Sequence, residues 1–331
     1  IKINQIDFCI FSNENYPSEI SSLKRLHIVL VKRILKIEDR VKMKKDILLF
    51  IGLLFLTSCA GKMQINQEYK GESKGLFIVL SHIKQDKKDV FDDLLMEKIY
   101  PAVYSYIDSN DAVNTANLKG QKSNRMFRPV NNNEDSSWTF IFMADPFIPK
   151  STARIVQPLI QKYGEDDAKK IMDIWYACFT NKGQESFYGE DIDFIGKENN
   201  ISTKPGDKVM VVMNYIKSSK NQKFENMVLN KVFPVVREYR DPSDEIHILN
   251  QKAIKEMRIL RPRMSNKDNT WTYIMMGDPF IEKANYLITK PFIQKYGEEN
   301  VDKAIKEIGW SGNFERGQIS YLFEEVDLTV F

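Results

Sequence analysis

Two hydrophobic periods alternate along this chain. Residues 76–83 form a β-rich apolar run, which predicts a strand. Phe91, Leu94, Leu95, Ile99, Ala102 and Tyr106 then fall on one face of a 3.6-residue period, which predicts a helix. Strands are expected near 124–130 and over Trp138–Ala144. Asp145-Pro146 has the form of a helix start, with Asp as N-cap and Pro at the first helical position. Gly164 is placed to end that piece, and a second helix is expected from Glu165 to about Trp175. Residues 186–194 alternate toward a last strand. If Pro129 faces Trp138 across the hairpin, Lys122 falls opposite Asp145.

The same order recurs. Residues 76–166 match 209–299 at a constant offset of 133, without a gap. Trp138-Thr139-Phe140-Ile141 stands against Trp271-Thr272-Tyr273-Ile274, and Ile160-Gln161-Lys162-Tyr163-Gly164 against Ile293-Gln294-Lys295-Tyr296-Gly297. Each copy has the size of a small domain, too long for a solenoid repeat. Strand–helix–strand twice over is the ferredoxin-like βαββαβ pattern. Along Trp138–Ala144, Trp138, Phe140 and Phe142 point one way and Ile141 and Met143 the other. A half-exposed strand would alternate with polar residues, so both faces are expected to be buried. Helices can cover one face, and the other copy's sheet is the candidate for the second. The expected fold class is therefore α+β, with repeats at 76–197 and 209–331 joined by a linker at 198–208. In element order and duplication the chain resembles a tandem version of the dimeric α/β-barrel superfamily. That group includes antibiotic-biosynthesis monooxygenases, stress-responsive barrel proteins and chlorite dismutases. The resemblance implies two repeats packed as an intramolecular barrel. Through its oxygenase members it also implies an alternative function, a cofactor-independent oxygenase or isomerase using His82, Asn214 and Arg128.

A different pattern precedes the repeats. Lys44, Lys45 and Asp46 follow Met43, and residues 47–56 carry no polar side chain. Ten helical residues rise only about 15 Å, half of a ~30 Å hydrocarbon core. The run reads as the signal peptide of an exported protein, over 43–58, rather than a membrane span. Its ending, Leu56-Thr57-Ser58-Cys59, resembles the lipobox of bacterial lipoproteins. That implies lipidation of Cys59, a tether over 59–75, and a globular part outside the cytoplasm, anchored to an envelope membrane, the outer one in a Gram-negative cell. Residues 1–42 would put a basic segment ahead of a complete signal, so they are expected to be an over-extended reading frame. Their alternative is an amphipathic helix around 22–41.

Charge and cysteine narrow the function. Residues 1–58 hold ten Lys/Arg and six Asp/Glu, which leaves 38 basic and 39 acidic residues in the rest. A formal charge of −1 offers no electrostatic footprint for nucleic acid. Cys178 stands alone once Cys9 and Cys59 are set aside, so no disulfide framework is expected. No His/Cys/Asp/Glu cluster has metal-ligand spacing, and no nucleophile elbow, Walker loop or dinucleotide fingerprint occurs. No cofactor is therefore expected. The leading expectation is non-catalytic binding of a small ligand or a protein partner, in an apolar cleft between sheet and helices. His82, Arg128, Tyr188, Tyr215 and Arg261 are the candidate ligand-binding residues. His82 draws interest because its counterpart is Tyr215, and a site specialised after duplication should lie where the copies differ. The oligomeric state is left open.

Overall fold

The computed structural model describes residues 75–151, 154–192 and 203–331. The expected signal segment, Cys59 and tether residues 59–74 lie outside them, as do Asp193, Phe194 and residues 198–202 of the linker.

Each half gives a strand, two helices, two strands, two helices and a strand. In the first half these are β1 (Gly75–Ile83), α1, α2 (Asp111–Ser123), β2 (Asn124–Pro129), β3 (Trp138–Ala144), α3 (Val156–Tyr163), α4 (Glu165–Cys178) and β4 (Phe179–Asp191). The second half repeats them as β5 (Lys208–Ile216), α5, α6 (Asp244–Lys255), β6 (Met257–Pro262), β7 (Trp271–Gly277), α7 (Thr289–Tyr296), α8 (Val301–Ile308) and β8 (Phe314–Glu325). Helix α1 is α-helical over Lys88–Leu94, widens to a π turn at Leu95–Ile99 and resumes over Tyr100–Ser105. Helix α5 does the same over Asn221–Met227, Val228–Val232 and Phe233–Glu238. Both π turns immediately precede a proline-bearing turn, at Pro101 and Pro234. A proline cannot donate to the carbonyl four residues back and its ring crowds that carbonyl, and the wider turn accommodates both effects.

The eight strands close into one barrel in the order β1-β3-β2-β8-β5-β7-β6-β4. All neighbours are antiparallel, so β1, β2, β5 and β6 run one way and the other four run back. The two halves meet at short seams. Phe127, Arg128 and Pro129 pair with Glu325, Glu324 and Phe323, and Gly189, Glu190 and Asp191 pair with Pro262, Arg261 and Leu260.

Strand parity sorts the core as the two-faced pattern predicts. Leu76, Ile78, Leu80, Ile141 and Met143 point into the barrel, where they meet Val209, Val211, Met213, Ile274 and Met276 of the other half. Phe140 points outward, beneath Phe91, Leu95, Ile99 and Trp175 of the helices, and Tyr273 does so in the second half beneath Phe224, Val228 and Val232. The strand ends cross over as well. Ile192, just past β4, joins the second half's helical core, while Val326 and Leu328, past β8, join the first half's. The C-terminal Phe331 ring stacks on Tyr100 at 5.7 Å.

Three local expectations need correction. No helix starts at Asp145-Pro146 or Asp278-Pro279, because these pairs lie in bends joined by cis peptides and the helices begin at Val156 and Thr289. The β2–β3 register is one residue off the expected one, with Asn124 opposite Ala144, and Lys122 lies in the last turn of α2. The final strand of each half begins earlier than its apolar alternation does, at Phe179 and Phe314. Gly164 does end α3 with positive φ, as Gly297 ends α7.

Candidate functional site

One mouth of the barrel gathers the starts of β2 and β6 and the ends of β3, β4, β7 and β8. It is plugged by charge. Arg125 on β2 donates to both oxygens of Asp278 at 2.8 Å and to both oxygens of Glu325 at 2.8 Å. Arg258 on β6 donates to Asp191 at 3.0 and 2.8 Å, to Asp145 at 2.6 Å and to Asp278 at 3.3 Å. Thr203 also hydrogen-bonds Asp278. Arg125 and Arg258, related by the repeat offset, thus each take carboxylates mainly from the opposite half. The Asp278 side chain is wholly buried, and both guanidinium groups are 8% exposed. Burial alone would raise the Asp278 pKa, but the hydrogen bonds and charge of Arg125 outweigh it and hold the carboxyl below its usual range. The same carboxylates hold both arginines more firmly cationic than usual against the cost of burial. Every fork is filled by protein, so the plug joins the halves and offers no free cation to a ligand.

The other mouth holds His82. It is buried, with Nδ1 at 3.1 Å from Thr139 Oγ1 and Nε2 at 3.1 Å from Glu185 Oε2. Thr139 Oγ1 also accepts from Asn133 at 2.9 Å. Burial works to raise the Glu185 pKa, but His82, with Arg316 and Lys182 nearby, brings it below the usual value. Tyr215 is buried, with the Arg316 guanidinium 4.1 Å from its ring centre. Burial, aided by Glu185, keeps its phenol neutral far into alkali.

The remaining candidates stand apart. Arg128 pairs with Asp92 at 2.8 Å. Arg261 bridges Glu225 and Glu190, at 2.5 and 3.2 Å. Tyr188 packs edge-on to Phe147 and receives a hydrogen bond from Arg263 at 3.3 Å. Asn214, named with His82 and Arg128 for catalysis, donates to two backbone carbonyls and accepts from Gln318. Each of these groups has its own partners.

The cleft lies elsewhere, between the outer face of β6–β7 and the helices of the second half. It is a cavity of about 70 Å³ lined chiefly by Val228, Val232, Val236, Ala253, Met275 and Trp310, with Asn250 as a buried polar member. None of His82, Arg128, Tyr188, Tyr215 or Arg261 lines it. Its origin is legible at the repeat offset. Val228, Val232 and Met275 stand where the first half has Leu95, Ile99 and Phe142. The larger set packs into the first half's core, which the C-terminal residues also cover. Deleting methylene groups from a packed layer without collapse leaves space. A comparison of copies by side-chain volume, instead of by polar chemistry, would have marked this place.

Among the described residues, no three His, Cys, Asp or Glu side chains gather as a metal-binding group. No family model and no curated protein matches the chain. Solved structures give a distant likeness. An anthrone oxidase-like protein aligns at 8% identity over 77% of this chain and 93% of its own, with a TM-score of 0.40. A candidate monooxygenase from Fusobacterium nucleatum aligns at 9% over 76% and 92%, TM-score 0.36. A chlorite dismutase variant from Candidatus Nitrospira defluvii aligns at 8% over 78% and 93%, TM-score 0.33. At scores this low the likeness says nothing of activity.

Proposed function

We propose that residues 76–197 and 209–331 are two ferredoxin-like repeats packed as an intramolecular counterpart of a dimeric α/β-barrel, and that this unit binds a small molecule in the cleft of its second repeat without transforming it. The constant offset, the barrel order and the reciprocal arginine plug support the architecture. The observation that carries the binding reading is the apolar cavity itself. Its lining has no acid, base or nucleophile poised for chemistry. Its two phenols are engaged, Tyr239 donating to Asp241 and Tyr286 accepting from the Ile281 N–H, both at 2.8 Å. The pattern Met43 to Cys59 supports a lipid on Cys59 as the attachment to a bacterial envelope membrane. Among the described residues, no helix is long and apolar enough to cross one.

The test exchanges residues between copies. Val228→Leu/Val232→Ile/Met275→Phe gives the second cleft the side chains that fill the first. Native mass spectrometry of the purified protein should show a small molecule on the wild type that this variant lacks. Equal loading of the two would refute the reading. Cys59→Ser should release the protein from the membrane fraction, and continued lipid labelling of that variant would refute the anchor.

A further inference from the structure

Asn250, on α6, is 3% exposed. Its Oδ1 accepts the backbone N–H of Asn285 at 2.7 Å, which fixes the amide orientation, since a backbone N–H can bond only to the oxygen. Its Nδ2 therefore lies on the other branch. That nitrogen is buried and has no hydrogen-bond partner, and Asn250 lines the cavity. A buried amide donor left unpaired costs about 1–3 kcal/mol. The neighbouring amide and phenols of the lining have partners: Tyr239 and Tyr286 as described, and Asn285, whose Nδ2 donates to the Leu287 carbonyl at 2.8 Å. So the one fully buried side-chain atom of the wall that lacks a hydrogen-bond partner is a donor, Asn250 Nδ2. No lysine, arginine or histidine lines the cavity, so a buried anionic group would lack a counter-charge there.

We infer that the molecule held in the second half is neutral and apolar and turns a single oxygen acceptor, of the ketone, ester or lactone kind, toward the Asn250 side-chain amide. The inference rests on the binding reading above and adds the chemical class of the ligand. Size refines it. A cavity of about 150 Å³ accommodates benzene, and this one is about half that. Only the end of a ligand fits inside, the rest emerging past Leu287, which is 68% exposed.

The test uses two probes of nearly equal size, 2-pentanone and n-pentane, titrated against the full chain by ligand-observed NMR. The wild type should bind the ketone about tenfold more tightly, the value of one net hydrogen bond. Asn250→Asp keeps an oxygen for the Asn285 N–H and removes the amide donor, so the ratio should fall toward one. Equal affinity for both probes in the wild type would overturn the inference and leave the cavity as a binding site. An unchanged preference in Asn250→Asp would do the same. Failure of both probes to bind the wild type, or undiminished binding of both to Val228→Leu/Val232→Ile/Met275→Phe, would remove the site and the inference with it. If Asn250→Asp does not fold, the wild-type ratio alone decides.

Discussion

Arg125 and Asp278 are 153 residues apart in the chain, yet they form a two-pronged ion pair at 2.8 Å in a setting where the aspartate side chain is fully buried. Removing one member of such a pair leaves the other charged and unsolvated, which costs about 3–5 kcal/mol. Arg125→Leu and Asp278→Ala should each lower the free energy of unfolding by about that much, as read from urea denaturation. A helix cap at Asp278 would give only about 0.5–2 kcal/mol, so the measurement separates the two roles.

Acid should act through the same groups. Asp278 has a folded pKa below its unfolded value, as do Glu185 and Glu225. A depressed carboxyl contributes stability that is present above its unfolded pKa and lost as pH falls toward the folded one. The loss should begin near the ordinary carboxyl range of about 4 and steepen below it. The acid limb should be shallower in Arg125→Leu. A limb of equal slope in the variant would show that this pair is not the source.

The C-terminal residues should behave as part of the first half's core. Leu328 is 7% exposed within a cluster that includes Tyr100 and Ile99, and Phe331 lies over Tyr100 and Tyr104. Leu328→Ala should cost about 2 kcal/mol or more and lower the midpoint of thermal unfolding. Cavity binding, in the other half, should be unchanged.

His82 should matter for stability. Its ring satisfies Thr139 and Glu185 together, and His82→Ala would strand polar groups in a buried setting. A loss of about 1–3 kcal/mol in denaturant is expected, with the affinity for 2-pentanone unaltered. A weakened affinity at full stability would move the site to this mouth of the barrel.

Much of the architecture was legible because duplication and two-faced strands leave local marks. Trp138–Ala144 was expected with these bounds, and its inward and outward residues separate as parity requires. Asp145 and Asp278 misled because Asp-Pro has a local meaning, while their actual partners are an arginine 113 residues later for one and an arginine 153 residues earlier for the other. No periodicity records such a pairing. The early part of β4 escaped because Thr180 to Gln184 is polar, as suits a strand segment at a barrel mouth. The cavity escaped because it comes from slightly smaller apolar residues, Val for Leu and Ile, which leave the hydrophobic pattern intact.

The shortness of the seams has a consequence for solubility. Beyond Tyr188, the part of β4 back to Phe179 pairs with β1 on one side and with no described strand on the other; β8 ahead of Leu322 is alike. An open strand edge of that length can template another chain into aggregates. Both edges carry the same two guards. A glycine with positive φ, Gly183 at 62° and Gly317 at 80°, sits where the register with β1 or β5 shifts, bending the strand away from a flat template. A cation stands immediately beside each, Lys182 and Arg316, held by Asp135 and Asp268. A kink and a charge, two features that discourage edge-to-edge pairing, thus recur at both open edges.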